Sequence, residues 1–114
     1  MNELKEQLII RLLNEQFDDY DVIIKEYRQR YPYDTDVFLA EGRYYLVMSQ
    51  YDKAVEVLSD ALKYCPYDVD TYYLLGEAFL KLEHYYNAVN YYAQAELYAS
   101  YYKNEYLFYN ANKC

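Results

Sequence analysis

The chain has 114 residues and a formal charge of −8 at pH 7, a length that suits one domain with a buried core. The acidic balance excludes recognition of nucleic-acid phosphates or of an anionic membrane surface, since both require a basic protein face. We expect a protein or peptide partner, basic or hydrophobic in character, because an acidic field speeds encounter with basic chains.

Apolar residues recur every three to four positions along the chain, which is the spacing of one helical face. In the second unit, for example, Phe38, Gly42 and Tyr45 share one face. The pattern predicts an all-α protein of seven helices, over residues 2–14, 18–30, 35–48, 52–64, 69–82, 86–99 and 103–112.

Local signals mark where these helices begin and end. The acidic cluster at 18–21, DDYD, reads as an anionic first turn for the second helix. Pro32 and Pro66, the only prolines, cannot continue a helix and so end the second and fourth helices. Each proline is followed by Tyr-Asp, and after Pro66 either Asp68 or Asp70 is expected to begin the next helix.

The two prolines are 34 residues apart, and other residues share that period. Such a period indicates stacked supersecondary units. The positions expected to pack repeat on repeat are Pro32 with Pro66, Gly42 with Gly76, Tyr45 with Phe79, Ala54 with Ala88, and Ala61 with Ala95.

Both glycines fall in the middle of predicted helices, where each costs about 1 kcal/mol relative to alanine. Because this loss of helix stability recurs at the same position of two repeats, it indicates that glycine is needed there for packing. We expect Gly42 and Gly76 to allow close approach of the following helix, with Ala54 and Ala88 as the facing small residues. A bulky substitution at Gly76 would then overpack the pair.

On these residues the chain resembles the tetratricopeptide repeat (TPR) family, whose 34-residue helix-turn-helix pattern it follows. The match is strong over 35–68 and over 69–102, where Ser100 replaces the proline. In residues 1–34, larger side chains replace the small ones expected: Leu8 stands for glycine, and Tyr20 and Tyr27 for alanine. We expect this first pair to pack less closely.

The resemblance implies a single domain with repeats at about 1–34, 35–68 and 69–102, followed by an extra helix at 103–114. It implies a right-handed superhelical α-solenoid of antiparallel helix pairs, whose first helices line a concave groove that binds peptides. The helical phase assigns to this groove Lys5, Ile9, Leu12, Leu39, Arg43, Leu46, Tyr73, Glu77 and Leu80, with Asn2, Asp36, Asp70 and Lys81 at its edge.

The predicted groove has an apolar floor and mixed charges, which suits an extended or helical peptide with hydrophobic anchors. Some family members clamp a terminal carboxylate on these stripes. Here Ile9, Tyr73 and Glu77 stand where such a clamp needs Asn, Lys and Arg, so recognition of that kind is not expected.

The last predicted helix does not have the polar outer face of an ordinary solenoid end. Its phase leaves an aromatic and aliphatic cluster outward or in the groove: Tyr101, Tyr102, Leu107 and Phe108. We expect this end to dock on a second copy or on the remainder of a longer chain, and a symmetric homodimer is the simplest closed solution.

Catalytic, metal and cofactor sites find no support in the sequence. His84, the only histidine, falls in a predicted turn, and the cluster at 18–21 lacks the glycine and final glutamate of a calcium loop. No phosphate-binding loop or nucleophile motif occurs. We therefore expect a non-enzymatic adaptor that binds a protein or peptide without a cofactor. The alternative is a structural or oligomerisation module. It would be either a fragment of a larger protein, which could include a catalytic domain, or a small dimeric chaperone-like scaffold.

The compartment and the tyrosine content complete the expectations. The start of the chain lacks the features of a signal peptide, no run of about 18 apolar residues occurs, and Cys65 and Cys114 are expected to be free thiols. These features predict a cytoplasmic location. The 20 tyrosines have two open interpretations, which are biased codon usage and an aromatic interaction surface.

Overall fold

The computed structural model describes residues 3–104, and within that range the chain is helical with no strand. Its six helices are α1 (Glu3–Leu13), α2 (Tyr20–Arg30), α3 (Thr35–Val47), α4 (Tyr51–Tyr64), α5 (Val69–Lys81) and α6 (Tyr85–Asn104). The prediction of an all-α protein is confirmed.

The helices form two layers. In the inner layer α1 packs on α3 and α3 packs on α5, and each of these helices also packs on the helix that follows it in the chain. The outer layer consists of α2, α4 and α6. One core cluster lies between α3, α4 and α5 around Leu58, and a second lies between α1, α2 and α3 around Tyr20. The arrangement is an α-solenoid of helix pairs, as predicted.

The first helix pair packs less closely than the two later pairs, as its sequence predicted. Tyr20 and Tyr27, which replace alanines of the pattern, are nevertheless fully buried. Phe17 and Tyr44 pack their rings against Tyr20. Bulky side chains thus hold α1 and α2 further apart while filling the space between them.

Most helix ends follow the local signals in the sequence. The cluster at 18–21 does so only in part, because α2 begins at Tyr20, Asp19 forms no side-chain cap and only Asp21 lies in the first turn. α2 and α4 end two residues before Pro32 and Pro66. Asp34 caps α3 by accepting a hydrogen bond from the Asp36 backbone N–H at 3.0 Å. Asp68, rather than Asp70, caps α5 by accepting from the Thr71 backbone N–H at 3.2 Å. The phrase Pro-Tyr-Asp is therefore the stop and start signal between helix pairs.

The first helix of each pair ends in the same backbone motif. Glu15, Ser49 and Glu83 have left-handed φ angles of 54°, 59° and 62°, and they are spaced by the repeat period. In each case the next N–H reaches back to a carbonyl five residues earlier, as from Gln50 to Tyr45 at 2.8 Å. This is a Schellman ending, which glycine usually occupies. The chain therefore accepts left-handed strain at these three non-glycine residues, and Asp19, just before α2, has a fourth left-handed φ of 62°.

The glycines face larger neighbours than predicted. A Cβ atom on Gly42 would lie 2.5 Å from Leu58 Cδ2, and one on Gly76 would lie 2.9 Å from Tyr92 Cδ1. These nearest atoms belong to residues one turn beyond Ala54 and Ala88, so the facing role of the two alanines stays a prediction. The absence of a side chain at each glycine allows a large residue to approach closely.

The sixth helix continues past its predicted end at 99. α6 runs to Asn104, through Ser100, because no proline breaks the helix where Pro32 and Pro66 break the earlier ones. The predicted helix at 103–112 lies mostly outside the described residues, as do Leu107 and Phe108, and the repeat bounds stay a prediction.

Cys65 corrects one expectation of the sequence. Its side chain is buried and disulfide-bonded, so the prediction of a free thiol is wrong for this residue. The chain's other cysteine, Cys114, lies outside the described residues.

Candidate functional site

Helices α1 and α3 enclose an apolar cavity of about 330 Å³ on the inner surface. Leu39, only 8% exposed, forms its floor, while Ile9 is 38% exposed at its wall. The lining brings together six residues predicted for the groove or its edge, which are Lys5, Ile9, Leu12, Asp36, Leu39 and Arg43. It adds Leu8, Leu13, Val37 and Ala40.

A second cavity, of about 420 Å³, lies between α3 and α5 with Leu12 at its edge. Five of its lining residues were predicted for the groove or its edge: Leu12, Arg43, Leu46, Glu77 and Lys81. The other three are Val47, Tyr51 and Leu74. The two cavities together form the surface that we call the groove.

Arg43 and Leu12 line both cavities. None of the ion pairs between described residues includes Arg43, and Arg43 is only half-buried. The groove thus has two apolar cavities with an unpaired guanidinium group at their junction.

Tyr73 and Leu80 lie on α5 but line neither cavity. They are 41% and 44% exposed, and the Tyr73 ring centroid lies 6.2 Å from that of Tyr92. Asp70 is exposed at the start of α5, and Asn2 lies outside the described residues. These positions border the groove without shaping its cavities.

Lys5 is engaged within the chain, which sequence reasoning missed. Its Nζ donates to Asp36 Oδ2 at 2.8 Å and to Asp34 Oδ2 at 3.2 Å, and the Tyr27 hydroxyl also donates to Asp34. The hydrogen bond to Asp36 raises the pKa of Lys5 against the opposing effect of burial. Burial would raise the pKa of Asp34, but the bonds from Tyr27 and Lys5 lower it overall. Lys5 therefore ties α1 to the start of α3.

Comparison with known families supports the architecture. Residues 42–83 match the family model of the TPR repeat, and these residues hold the second half of α3, all of α4 and α5, and the turns between them. Over these residues the chain is similar to the tetratricopeptide repeat. No curated protein is significantly similar to it in sequence. TPR domains typically bind proteins or peptides. Within residues 3–104, each helix is too short or too polar to span a lipid bilayer.

A partly buried ion pair between α2 and α3 was also missed by the sequence analysis. Arg28 Nη1 donates to Glu41 Oε2 at 2.8 Å, with side-chain exposures of 36% and 10%. The Arg28 guanidinium carbon lies 4.5 Å from the centre of the Phe38 ring. Burial raises the pKa of Glu41, although the charge of Arg28 opposes this effect. Residues one repeat later are Leu62 and Leu75, so a charged pair here replaces an apolar one.

Several tyrosines pack against one another at the turns between helix pairs. Two aromatic trios repeat with the 34-residue period, and in each trio the ring from the second helix contacts the other two at 5.1–5.7 Å. They are Tyr33, Phe38 and Tyr64, and then Tyr67, Tyr72 and Tyr98. Burial, together with Tyr98, raises the pKa of Tyr72 to about 12. These tyrosines are packing residues.

The two described residues of the predicted C-terminal cluster, Tyr101 and Tyr102, have different environments. Tyr101 is 41% exposed, whereas the Tyr102 hydroxyl donates to the Tyr67 carbonyl oxygen at 2.6 Å. Tyr102 therefore faces the preceding turn rather than solvent. Its predicted neighbours Leu107 and Phe108 lie outside the described residues.

The chemistry-bearing residues are dispersed. His84 is exposed in the turn between α5 and α6, and its ring stacks on Phe79 at 6.1 Å. Within residues 3–104, no group of three His, Cys, Asp or Glu side chains is arranged to hold a metal ion.

Proposed function

We propose that this TPR domain is a non-catalytic adaptor that binds a protein or peptide in the groove of α1, α3 and α5. The observation that carries the proposal is the pair of apolar cavities joined at Arg43, which forms no ion pair among the described residues. An apolar surface with a partly desolvated, unpaired cation is suited to a partner that supplies both anchors and an anion.

The partner is a hydrophobic peptide or protein segment, and the chain's net charge of −8 favours encounter with one that is basic overall. The same charge supports the exclusion of nucleic acid and of anionic membrane surfaces. No cofactor takes part in this function.

Selection from a random peptide display library on the wild-type domain tests the proposal. Recovered peptides should bind Arg43→Glu and Tyr73→Ala about tenfold more weakly, a loss of about 1.4 kcal/mol. Both positions are partly exposed, so the free energy of unfolding should change by less than about 0.5 kcal/mol.

Matched controls separate the groove from general effects of charge and tyrosine content. Lys25→Glu makes the same charge change on the outer helix α2, and Tyr86→Ala removes an 81% exposed tyrosine from α6. Both should bind like the wild type. Recovery of peptides that bind all four variants equally would place the binding surface elsewhere.

A second proposal concerns self-association through the C-terminal end. Tyr101 is 41% exposed near the end of α6, and an exposed aromatic side chain can be buried by a partner surface. We propose a symmetric homodimer in which Tyr101, Leu107 and Phe108 take part and Tyr102 supports the turn behind them. This scaffold role is the alternative to the adaptor function.

Light scattering at micromolar concentration should show a dimer that shifts toward monomer when Leu107→Lys and Phe108→Lys are combined. Exchange of Leu13, 77% exposed on α1, for lysine serves as the control and should leave the dimer intact. A wild-type monomer at high concentration would disprove self-association.

The cytoplasmic location is also a proposal. Its support is the acidic, non-spanning sequence, and the disulfide at Cys65 is the observation against it, since disulfides persist mainly in oxidising compartments. Differential alkylation of the thiols in fractionated cell extracts tests the location. Reduced thiols in the cytoplasmic fraction would support it, and an oxidised Cys65 in a secretory or periplasmic fraction would contradict it.

A further inference from the structure

The disulfide at Cys65 is not a feature of the repeat. The equivalent residues one repeat earlier and one repeat later are Tyr31 and Ala99, and neither can form such a bond. The Cys65 side chain is disulfide-bonded and only 3% exposed. A sulfur atom this deeply buried is poorly placed to meet the same atom of a second copy, which argues against a symmetric bond between two Cys65 residues. The partner is therefore to be sought within the chain.

The composition of the chain leaves one candidate for this partner. The sequence contains two cysteines, Cys65 and Cys114, and the described residues include no free cysteine. A disulfide within the chain therefore requires Cys114.

The end of α6 lies beside the turn that contains Cys65. The Tyr102 hydroxyl donates to the Tyr67 carbonyl oxygen at 2.6 Å, and Tyr67 follows Cys65 by two residues. Ten residues lead from Asn104, the last residue of α6, to Cys114. Ten residues of extended chain reach about 33–36 Å, and the Cα atoms of a disulfide are about 4.4–6.8 Å apart. The segment after α6 is therefore long enough to return to this neighbouring turn.

The backbone of Cys65 is held in place on both sides. Its N–H donates to the Ala61 carbonyl oxygen at 3.0 Å, and its own carbonyl oxygen accepts from the Asp68 N–H at 3.3 Å. Its Sγ atom lies 3.5 Å from Thr35 Oγ1 at the start of α3. A bond to Cys65 thus attaches to the point where α3, α4 and α5 meet.

We propose that a disulfide between Cys65 and Cys114, which we call the clasp, fastens residues 105–114 to the turn between α4 and α5, and that reduction releases them. Closure forms the Sγ–Sγ bond and removes two protons and two electrons from the thiols. A disulfide oxidant such as oxidised glutathione accepts them and becomes two thiols. The clasp closes in an oxidising compartment and opens in a reducing one. This inference does not depend on the adaptor function or on the homodimer.

Peptide mapping of the full chain, equilibrated with oxidised glutathione, identifies the bond. Cleavage after glutamate releases residues 57–77, with Cys65, and residues 106–114, with Cys114. Mass spectrometry of the monomer band from a non-reducing gel should find these two peptides joined, and dithiothreitol should separate them. A Cys65 that is unbonded, joined to glutathione or found only in a dimer band would overturn the clasp.

Opening the clasp should destabilise the protein. Dithiothreitol should lower the thermal midpoint of wild-type unfolding by at least about 8 °C, because the closed loop of residues 65–114 restricts the unfolded chain. Oxidised glutathione should restore the midpoint. Cys114→Ser leaves the buried Cys65 side chain in place and should have the low midpoint with or without dithiothreitol. Equal midpoints for the oxidised and reduced wild type would show that the bond does not fasten the segment.

Amide hydrogen exchange locates the effect. With the clasp open, the amides of residues 100–104 at the end of α6 should exchange at least about fivefold faster, since local opening there is no longer restrained. The amides of α1 serve as the control and should change little, because units of a solenoid contact only their neighbours. An equal acceleration in α1 and α6 would show a general loss of stability and would overturn the local release.

Discussion

We expect Gly42→Val to lower the free energy of unfolding by about 3 kcal/mol, as measured by urea denaturation. A Cβ atom at residue 42 would lie 2.5 Å from Leu58 Cδ2 and 2.7 Å from Leu58 Cγ. Leu58 is fully buried in the central core cluster, so its side chain has no free space into which to move. The gain in helix propensity over glycine, below about 1 kcal/mol, does not offset the overpacking.

Gly76→Val is the matched control one repeat later. There the nearest atoms belong to the Tyr92 ring at 2.9 Å, and Tyr92 is only half-buried, so the ring can swing outward. The loss should be smaller by at least about 1 kcal/mol.

A double-mutant cycle with Leu58→Ala identifies the cause. Alone, Leu58→Ala should cost about 2–5 kcal/mol by leaving a cavity. The double variant Gly42→Val/Leu58→Ala should lose clearly less stability than the sum of the two single losses, since the valine fills part of the space that Leu58 vacates. Equal losses for the two glycine variants, or strict additivity in the cycle, would contradict the packing account.

Arg28→Leu should lower the free energy of unfolding by about 3 kcal/mol, because it leaves the Glu41 carboxylate buried without its cation. The 36% exposure of Arg28 places the effect at the lower end of the range for buried pairs. Glu41→Leu should cost less, since the Arg28 side chain can extend to water.

The double variant Arg28→Leu/Glu41→Leu reproduces the Leu62 and Leu75 pair of the next repeat. It should be at least as stable as the wild type, because apolar packing replaces two desolvated charges. A double variant as unstable as Arg28→Leu would show that the outer surface cannot close over leucines.

The pH dependence of Arg28→Leu gives an independent check. Burial raises the folded-state pKa of Glu41, and loss of Arg28 removes the group that opposes this rise. A carboxyl group with a raised folded-state pKa favours folding while it is protonated and loses that contribution as pH rises through the folded-state pKa. The deficit of Arg28→Leu relative to the wild type should therefore shrink as the pH is lowered from neutrality into the acidic range.

The sequence by itself determined the helix pairs and the face that lines the groove. Proline stops, aspartate caps and apolar spacing act within a few residues, so Pro32, Pro66 and Asp68 mark their helix ends without help from distant parts of the chain. Helical phase then fixes which side chains share a face. For that reason the periodicity alone assigns Ile9 and Leu39 to one surface.

Local signals also explain where the sequence misled. The predicted end of the sixth helix at 99 follows the analogy with the earlier units. Ser100 carries no restriction on the backbone, and α6 continues to Asn104. The Schellman endings at Glu15, Ser49 and Glu83 have no glycine to signal them, although their 34-residue spacing could have indicated equivalent backbone positions.

Only the tertiary structure decided the contacts between distant residues. Lys5 meets Asp34 and Asp36 across 29 and 31 positions, and Arg28 meets Glu41 across 13. Such pairs depend on how the helices stack, and stacking geometry does not follow from the periodicity of one helix. The sequence does contain one signal for the second pair, since Arg28 and Glu41 align with leucines one repeat later.

The groove likewise depends both on helical periodicity and on the packing of helices. Helical periodicity assigned its face, including the position of Arg43. The packing of α1, α3 and α5 produces its two cavities and leaves Arg43 without an ion pair among residues 3–104. These properties depend on the distances between helices, which are set by side chains that lie far apart in the sequence.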